Sequence, residues 1–256
     1  MMPPLPPQFL DRPLAHRARH DRRAGRIENS ASAVARAIVE GWGIEIDVQL
    51  SSDGQAMVFH DDTLDRLTDA TGPVRAQTAA SLMQIPLTDS EETIPTLLDV
   101  LTQVAGTVPV LIEIKDQDGA LGPDVGPLEE AVTRTIHGYP GPVALMSFNP
   151  ESIATCARIA PDIPRGLVTD PFEEMFWPGV PATRREELTT IPDLARVGAS
   201  FISHNRADLD SPRVQEVKAT GMPILCWTVR SAEQEVEARQ VADNITFEGY
   251  SPATGD

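Results

Sequence analysis

The sequence is poor in cysteine, with Cys156 and Cys226 as the two in 256 residues. Two cysteines this far apart do not build a structural zinc site, and they are too few for a disulfide scaffold. The chain also lacks an apolar run of 15 residues, and its first nine residues hold four prolines and no basic residue. We therefore expect neither a secretory signal nor a membrane anchor, and predict a cytoplasmic location.

Basic residues are few as well: 21 Lys and Arg stand against 38 Asp and Glu, a formal net charge of −17. This balance argues against general binding to nucleic acid or to an anionic membrane, because the phosphate field of both rewards Lys and Arg. We expect a small-molecule partner, with no nucleic acid and no stable membrane association. The sequence also has no glycine-rich phosphate loop, nucleophile elbow or Cys–His pair, which argues against ATP-dependent and acyl-enzyme chemistry.

Short β-rich runs alternate with helical patterns along most of the chain. The strand-like runs are Pro13–Arg17, Gly43–Leu50, Met57–Asp61, Val110–Lys115, Val143–Phe148, Arg165–Thr169, Ser200–Asn205, Pro223–Val229 and Asn244–Phe247. Helical patterns fill most of the intervals, at Ser30–Glu40, Pro95–Val104, Pro127–His137, Pro150–Ile159, Ser211–Thr220 and Ala232–Gln240. A strand followed by a helix, repeated in this way, predicts parallel strands joined by crossover helices.

One of the nine runs differs from the rest, because six residues separate it from the run before. A parallel crossover needs about a dozen residues, and Asp53-Gly54 is typical of a hairpin turn. We therefore expect Met57–Asp61 to pair antiparallel with the preceding strand. The other eight strands fit a (β/α)₈ TIM barrel of about 250 residues, with an open doubly wound sheet as the alternative. Residues 1–12 are predicted to form a proline-rich, polyproline-like arm, and residues 13–256 one barrel domain.

Acidic residues lie inside two of the predicted strands. Glu45 and Asp47 alternate with apolar residues in Gly43–Leu50, and Glu113 does so in Val110–Lys115. Because successive side chains of a strand point to opposite faces, all three carboxylates face the barrel interior, where they repel one another and lose solvation. A hard divalent cation such as Mg²⁺, Ca²⁺ or Mn²⁺ would compensate them. The alternative is a set of carboxylates exposed on a half-buried antiparallel face.

Two of the five histidines end predicted strands beside these carboxylates. His16 closes the first run, and His60 closes the return strand of the hairpin, next to the strand that carries Asp47. Two imidazoles beside a metal suit phosphoryl chemistry, because one takes a proton from the attacking oxygen and the other gives one to the leaving oxygen. An ordinary pKa of about 6.5 makes both protonation states available. A lone histidine at a strand end is usually structural, but the pair favours catalysis.

These residues resemble the glycerophosphodiester phosphodiesterase family, whose pattern runs His-Arg-Gly, Glu-Asn-Thr, Glu-x-Asp-Val, His-Asp and Glu-x-Lys. The corresponding segments are His16-Arg17-Ala18, Glu28-Asn29-Ser30, Glu45-Ile46-Asp47-Val48, His60-Asp61 and Glu113-Ile114-Lys115. The resemblance extends from about Pro13 to Pro252, with further matches at Ile94-Pro95-Thr96-Leu97, Ser147-Phe148-Asn149-Pro150 and Trp227-Thr228-Val229. Each tripeptide alone is weak, but the set in this order is strong.

The resemblance implies a TIM-barrel phosphoric diester hydrolase that releases sn-glycerol 3-phosphate and an alcohol with the help of Mg²⁺ or Ca²⁺. It implies Glu45, Asp47 and Glu113 as metal ligands. It implies His16 as the base and His60 as the acid in proton transfer, and Arg17, Lys115 and Trp227 as substrate-binding residues. The nucleophile is either water or the 2-hydroxyl of the substrate, which would give a cyclic phosphate that water then opens.

Two departures from the family pattern and one aromatic cluster leave alternatives open. Ala18 replaces a glycine and carries a cost if its φ is positive, and Glu248 follows the last strand where the family often has Thr-Asp. Both would fit a noncatalytic phosphodiester-binding barrel. The aromatic residues Phe172, Phe176 and Trp177 would fit a lysophospholipase D-like enzyme acting on lipid substrates, or they anchor a loop.

An arginine-rich segment follows the first predicted strand, with five positive charges at Arg17, Arg19, Arg22, Arg23 and Arg26. These side chains either steer an anionic substrate towards the rim of the barrel or pair with surface carboxylates.

Overall fold

The computed structural model of the protein describes residues 2–253. Its strands are β1 (Leu14–Ala15), β2 (Gly43–Leu50), β3 (Ala56–Val58), β4 (Val110–Ile114), β5 (Val143–Ser147), β6 (Arg165–Thr169), β7 (Phe201–Asn205), β8 (Ile224–Val229) and β9 (Asn244–Phe247). Its α-helices are α1 (Gln8–Asp11), α2 (Ala31–Glu40), α3 (Ala79–Leu82), α4 (Leu97–Val104), α5 (Pro127–Ile136), α6 (Pro150–Ile159), α7 (Ala182–Thr189), α8 (Leu194–Val197), α9 (Pro212–Ala219) and α10 (Ala232–Ala238). Short 3₁₀ helices cover Arg22–Ala24, Val74–Ala76 and Arg206–Asp208.

Eight of the strands are parallel and close into a ring. Strand β1 pairs with both β2 and β9, which joins the two ends of the series β2, β4, β5, β6, β7, β8, β9. Strand β3 lies outside the ring and pairs antiparallel with β2, with Val48 opposite Val58. The predicted TIM barrel with an extra hairpin strand is confirmed, and the closure excludes the open doubly wound sheet.

Capping residues mark where several of the predicted helices begin. Ser30 accepts a hydrogen bond from the amide of Ala33 at the start of α2, and Thr96 and Asp99 form a reciprocal capping box on α4. Such caps satisfy backbone amides that have no partner inside the helix. The sequence does not predict helix α7, because Leu188 is its one buried residue and it lacks the apolar stripe that is typical of a helix.

Side chains of the barrel strands alternate between two apolar cores. Ile44, Ile46 and Val48 of β2 lie in the outer core between the strands and the helices, as expected. The inner core fills the amino-terminal half of the barrel with Leu5, Phe9, Leu14, Leu111, Ala144, Met146, Val168, Phe201 and Leu225. Glu113 follows Leu111 on the same face of β4, so the carboxylates lie above this apolar plug, towards the carboxyl-terminal rim.

The amino-terminal arm is not a polyproline segment along its whole length, because part of it is helical and packs into the inner core. Gln8–Asp11 form the helical turn α1, and Phe9 is fully buried, at 0% exposure, in the inner core. The amide of Asn244 donates to the carbonyl oxygens of Phe9 and Arg12 at 2.8 and 2.7 Å. Burial of Phe9 against the barrel floor explains the departure from the extended conformation that the prolines predict.

Two predicted strands end earlier than their sequences suggest. Strand β1 stops at Ala15 because Arg17 and Ala18 have positive φ angles of 50° and 63°, which end the extended backbone. Strand β3 stops at Val58. His16 and His60 therefore lie just beyond the strands, on the turns that leave them. Among residues 2–253, no helix combines the length and the apolar character that crossing a bilayer requires.

Candidate active site

The predicted site residues come from different strands and meet at the carboxyl-terminal rim, where the active sites of TIM barrels lie. His60, Glu113, Lys115 and Trp227 line an open cleft of about 880 Å³. Glu45, Asp47 and Arg17 connect to this group through the contacts described next, and His16 directly precedes Arg17 in the chain.

Three carboxylates form a buried cluster. Glu45, Asp47 and Glu113 each place an oxygen within 4.8 Å of the other two, and Glu45 and Asp47 are each 1% exposed. The register of the sheet sets Asp47 directly opposite Glu113. The Lys115 ammonium lies 2.7 Å from Asp47 Oδ1 and also pairs with Glu113, while Asn29 donates to Asp47 Oδ2 at 3.0 Å. The cluster is thus built from two neighbouring strands and partly neutralised by one lysine.

The electrostatics of the cluster are asymmetric. Burial, together with repulsion from Asp47 and Glu113, holds the pKa of Glu45 well above its ordinary range. Burial raises the pKa of Asp47 too, but Lys115 and the other nearby cations outweigh it and hold that pKa well below its usual value. Glu45 Oε2 accepts a hydrogen bond from the backbone amide of Arg17 at 2.9 Å, and Glu45 Oε1 is buried without a partner among the described residues.

These carboxylates fit a divalent cation. An unpartnered buried oxygen beside two further carboxylates is an unfavourable arrangement for the protein alone. All-oxygen donors are the ligands that Mg²⁺ and Ca²⁺ prefer. The chain therefore has an acidic cluster, formed by Glu45, Asp47 and Glu113, that could bind a divalent metal.

His16 is oriented by a carboxylate from the far end of the chain. Its Nδ1 lies 2.6 Å from Glu248 Oε2, and His20 Nε2 lies 3.4 Å from the same oxygen. Although burial raises the pKa of Glu248, the hydrogen bond from His16 and the nearby His20 and Arg230 hold it below its ordinary value, so the carboxylate accepts and His16 Nδ1 donates. Burial lowers the pKa of His16 despite this partner. His16 is therefore neutral at pH 7, with its Nε2 lone pair free.

His60 has a carboxylate partner of its own. Its Nδ1 lies 2.6 Å from Asp61 Oδ1. Arg66 donates from Nε to Asp61 at 2.6 Å and from Nη2 to Glu28 at 2.7 Å, which fixes the Asp61 side chain. Despite burial, which acts in the opposite direction, the hydrogen bonds from His60 and Arg66 lower the pKa of Asp61. The ring is thus held with Nδ1 towards Asp61 and Nε2 available.

The two predicted phosphate-binding residues are engaged in ion pairs. Arg17 Nη1 donates to Glu28 at 2.7 Å, its Nε lies 3.6 Å from Asp47, and this Nε is buried without a hydrogen bond in the described part of the chain. Lys115 is held by the carboxylates of Asp47 and Glu113. Both place positive charge at the rim, and their contact with phosphate stays a prediction.

Most of the arginine-rich segment pairs with surface carboxylates, which favours the structural interpretation over steering. Arg19, Arg22 and Arg26 lie within 4 Å of carboxylate oxygens of Glu40, Asp89 and Asp21, respectively.

Ala18 has a positive φ of 63°. The glycine of the family pattern would adopt this angle at the same position without strain.

Aromatic side chains form one wall of the cleft. Phe148 lies 5.5 Å from Trp227 and 4.8 Å from Trp177, measured between ring centroids. Trp227 Nε1 donates to the carbonyl oxygen of Ser203 at 3.0 Å. Phe172 is buried against the same group, which agrees with loop anchoring, whereas Phe176 is 67% exposed at the rim.

Several residues that orient the site were not assigned a role from the sequence. Glu28 and Asn29 belong to the Glu-Asn-Ser segment of the resemblance, which could have pointed to them. No motif in the sequence points to a role for Arg66. Glu248 departs from the family pattern, which assigns it no role, and the structure shows its carboxylate hydrogen-bonded to His16.

The closed TIM barrel brings two histidines and a carboxylate cluster to one rim, an arrangement that suits a class of hydrolases acting on phosphoryl groups. Comparison with known proteins identifies the family within this class. The family model described as "Glycerophosphoryl diester phosphodiesterase family" matches residues 16–244. The chain belongs to the glycerophosphoryl diester phosphodiesterase family, whose activity is phosphoric diester hydrolysis.

Relatives agree with this membership, and a solved structure shares the fold. YhdW of Bacillus subtilis is 26% identical over 213 residues, covering 80% of this chain and 81% of YhdW. A glycerophosphodiester phosphodiesterase of Caldanaerobacter subterraneus is 32% identical over 151 residues, covering 55% of this chain and 60% of that protein. An Oleispira antarctica phosphodiesterase solved with the product sn-glycerol-3-phosphate has the same fold, with a TM-score of 0.74, 24% identity and coverage of 94% and 93% of the two chains.

Proposed function

We propose that this protein hydrolyses glycerophosphodiesters to sn-glycerol 3-phosphate and an alcohol. The observation that carries the proposal is the pair of histidines, each with Nδ1 held 2.6 Å from a carboxylate, at the same rim as the three-carboxylate cluster. This arrangement leaves both Nε2 atoms available for proton transfer. The cytoplasmic location and the absence of nucleic-acid and membrane partners stay predictions from the sequence.

His16 is the general base in this proposal. Its buried ring is neutral because burial lowers its pKa, and Glu248 fixes the tautomer that leaves Nε2 unprotonated. Nε2 takes the proton of the nucleophile as the oxygen of water, or of the substrate's 2-hydroxyl, forms its bond to phosphorus. Glu248 also stabilises the imidazolium that results.

His60 is the general acid. Asp61 holds its Nδ1 at 2.6 Å, and Nε2–H gives a proton to the alcohol oxygen as the bond between that oxygen and phosphorus breaks. With water as nucleophile, one O–P bond forms and one breaks, and the water supplies one proton and one hydroxyl to the two products. With the 2-hydroxyl, a second step opens the cyclic phosphate and the two histidines exchange roles.

Glu45, Asp47 and Glu113 are proposed to hold the divalent cation, Mg²⁺ or Ca²⁺. When bound, such an ion neutralises charge on a phosphate oxygen and lowers the pKa of the attacking hydroxyl or water. Lys115 and Arg17 add positive charge at the same rim, which compensates the excess carboxylate charge and attracts the phosphodiester.

Replacing Glu248 by glutamine is expected to lower kcat by roughly tenfold or more, because a neutral amide no longer fixes the His16 tautomer. Glu248 raises the pKa of His16 by hydrogen bonding and by charge, so its loss lowers that pKa further. The acidic limb of kcat/KM, which reports the protonation of His16 in this proposal, is then expected to move to lower pH.

The pH–rate profile separates this positioning role from a purely structural one. Glu91→Gln serves as the matched control, since Glu91 is exposed. A Glu248→Gln profile that keeps both the wild-type height and the wild-type acidic limb contradicts the role given to Glu248.

A lysophospholipase D-like activity is the second candidate, favoured by the exposed Met175 and Phe176 beside the cleft at 75% and 67% exposure. The test incubates the protein with glycerophosphocholine and, separately, with lysophosphatidylcholine, in the presence of Mg²⁺ or Ca²⁺. We expect sn-glycerol 3-phosphate from the first substrate at a higher kcat/KM than lysophosphatidate from the second. The reverse order would support the lipid enzyme, and no product from either would favour a noncatalytic binding barrel.

A further inference from the structure

The aromatic wall of the cleft has no role in the proton transfers proposed above. Phe148, Trp177 and Trp227 all line the cleft and are all partly exposed to it. Phe148 lies between the two tryptophans, at 4.8 and 5.5 Å between centroids. Three contacting aromatic rings at the edge of a catalytic cleft can receive an apolar group or, through their π faces, a cation.

A carboxylate lies beside this wall. Asp170 is 7% exposed and lines the cleft. Its Oδ2 accepts from Trp177 Nε1 at 2.6 Å and its Oδ1 from Asn205 Nδ2 at 2.7 Å. Both donors are neutral, so they fix the carboxylate in place without neutralising it.

No basic side chain among residues 2–253 forms an ion pair with Asp170. Burial lowers the pKa of His204 and outweighs the opposing effect of the Asp170 charge, so the His204 ring is neutral at pH 7. A buried carboxylate with neutral partners is an unfavourable state that a ligand cation would relieve. This feature distinguishes the wall from a lipid-binding surface, which has no use for a fixed negative charge.

Like Asp170, most of the charged residues that line the rest of the cleft are acidic. Away from His60–Asp61 and the metal cluster, its acidic lining residues are Asp62, Asp116, Asp118 and Asp170, against Arg75 as the basic one. Lys115 is held by carboxylates of the metal cluster, and Arg75 Nη1 donates to the carbonyl oxygen of Gln117 at 3.0 Å. Outside the phosphate-binding end, the cleft therefore favours positive charge.

We propose that Phe148, Trp177, Trp227 and Asp170 form the head-group subsite and select diesters whose alcohol carries a quaternary ammonium or ammonium group. The inference rests on the proposed function, in which His60 protonates the leaving alcohol. His60 lines this cleft and His16 is not among its lining residues, so the leaving alcohol extends along the aromatic wall. A trimethylammonium group would lie on the π faces near the Asp170 charge.

The test compares two diesters of the same shape and different charge. One is glycerophosphocholine, and the other is its analogue with 3,3-dimethylbutanol, in which carbon replaces the ammonium nitrogen. Both release sn-glycerol 3-phosphate, so one assay measures both. We expect kcat/KM to be about tenfold higher for the choline diester.

Substitutions test whether the preference for the choline diester comes from this subsite. Asp170→Asn and Trp177→Leu are each expected to bring the ratio of the two kcat/KM values close to one, while Asp210→Asn, at an exposed acidic residue outside the cleft, keeps the wild-type ratio. Using two variants guards against misfolding of either, which thermal unfolding reveals. Equal kcat/KM values for the two diesters in the wild type would overturn the subsite and leave the proposed function standing. No sn-glycerol 3-phosphate from either diester would overturn the proposed function itself.

Discussion

Replacing His60 by alanine is expected to lower kcat by about 10²–10⁴-fold, the range that a lost general acid or base produces. The alanine variant cannot protonate the leaving oxygen, so the loss is greatest for alcohols of high pKa. His16→Ala is expected to fall in the same range, because it removes the base and leaves Glu248 without its imidazole partner. Release of sn-glycerol 3-phosphate under saturating substrate measures both.

His137→Ala is the matched control for the histidine variants. His137 is exposed at the carboxyl-terminal end of α5, away from the cleft lining. It should keep wild-type turnover. If His16→Ala and His60→Ala both retain near-native kcat in properly folded protein, neither histidine transfers a proton in the rate-limiting step, and the proposed roles are wrong.

Glu45→Gln is expected to change activity and stability in opposite directions. Losing one of the three carboxylates weakens the proposed metal site, so we expect activity at a fixed metal concentration to fall by about 10²-fold or more. The metal-free variant should nevertheless have a higher Tm than the metal-free wild type at pH 7, because glutamine removes the cost of burying a charge and the repulsion from Asp47 and Glu113. Each kcal/mol gained corresponds to about 2–4 °C in a chain of this size.

The sign of the stability effect follows from the raised pKa of Glu45. The folded state binds the Glu45 proton more tightly than the unfolded state, so ionising Glu45 costs stability as pH rises above the ordinary value of 4.5. The Tm advantage of Glu45→Gln should therefore shrink as pH falls towards 4.5. Adding Mg²⁺ or Ca²⁺ should raise the Tm of the wild type more than that of the variant.

Glu237→Gln, at an exposed residue of α10, provides the control for a change of charge alone. It should match the wild type in activity and in the metal-dependent shift of Tm. An equal shift of Tm with metal in Glu45→Gln and in the wild type would remove Glu45 from the metal site.

The barrel could be predicted because its determinants are local. Alternating Ile44, Ile46 and Val48 fix one face of β2, and the short Asp53-Gly54 connection excludes a parallel crossover before β3. Closure of the ring could not be deduced in the same way, since it depends on pairing β1 with β9, at opposite ends of the chain.

The carboxylate cluster was predictable for the same reason, whereas the partners of the histidines were not. Strand periodicity alone places Glu45, Asp47 and Glu113 on the interior face. Glu248 reaches His16 across 232 residues of sequence, and Arg66 joins Glu28 to Asp61 across the rim. Such contacts between turns depend on side-chain geometry after the barrel has closed, and no local pattern specifies them.

The most direct test of the central claim is release of sn-glycerol 3-phosphate from glycerophosphocholine by chelator-treated protein, before and after a divalent cation is restored. The proposal predicts little release after EDTA and recovery when excess Mg²⁺ or Ca²⁺ is added, with no recovery in His60→Ala. Full activity in EDTA would contradict the role of the carboxylate cluster Glu45, Asp47 and Glu113. No release with either ion restored would contradict the proposed hydrolysis.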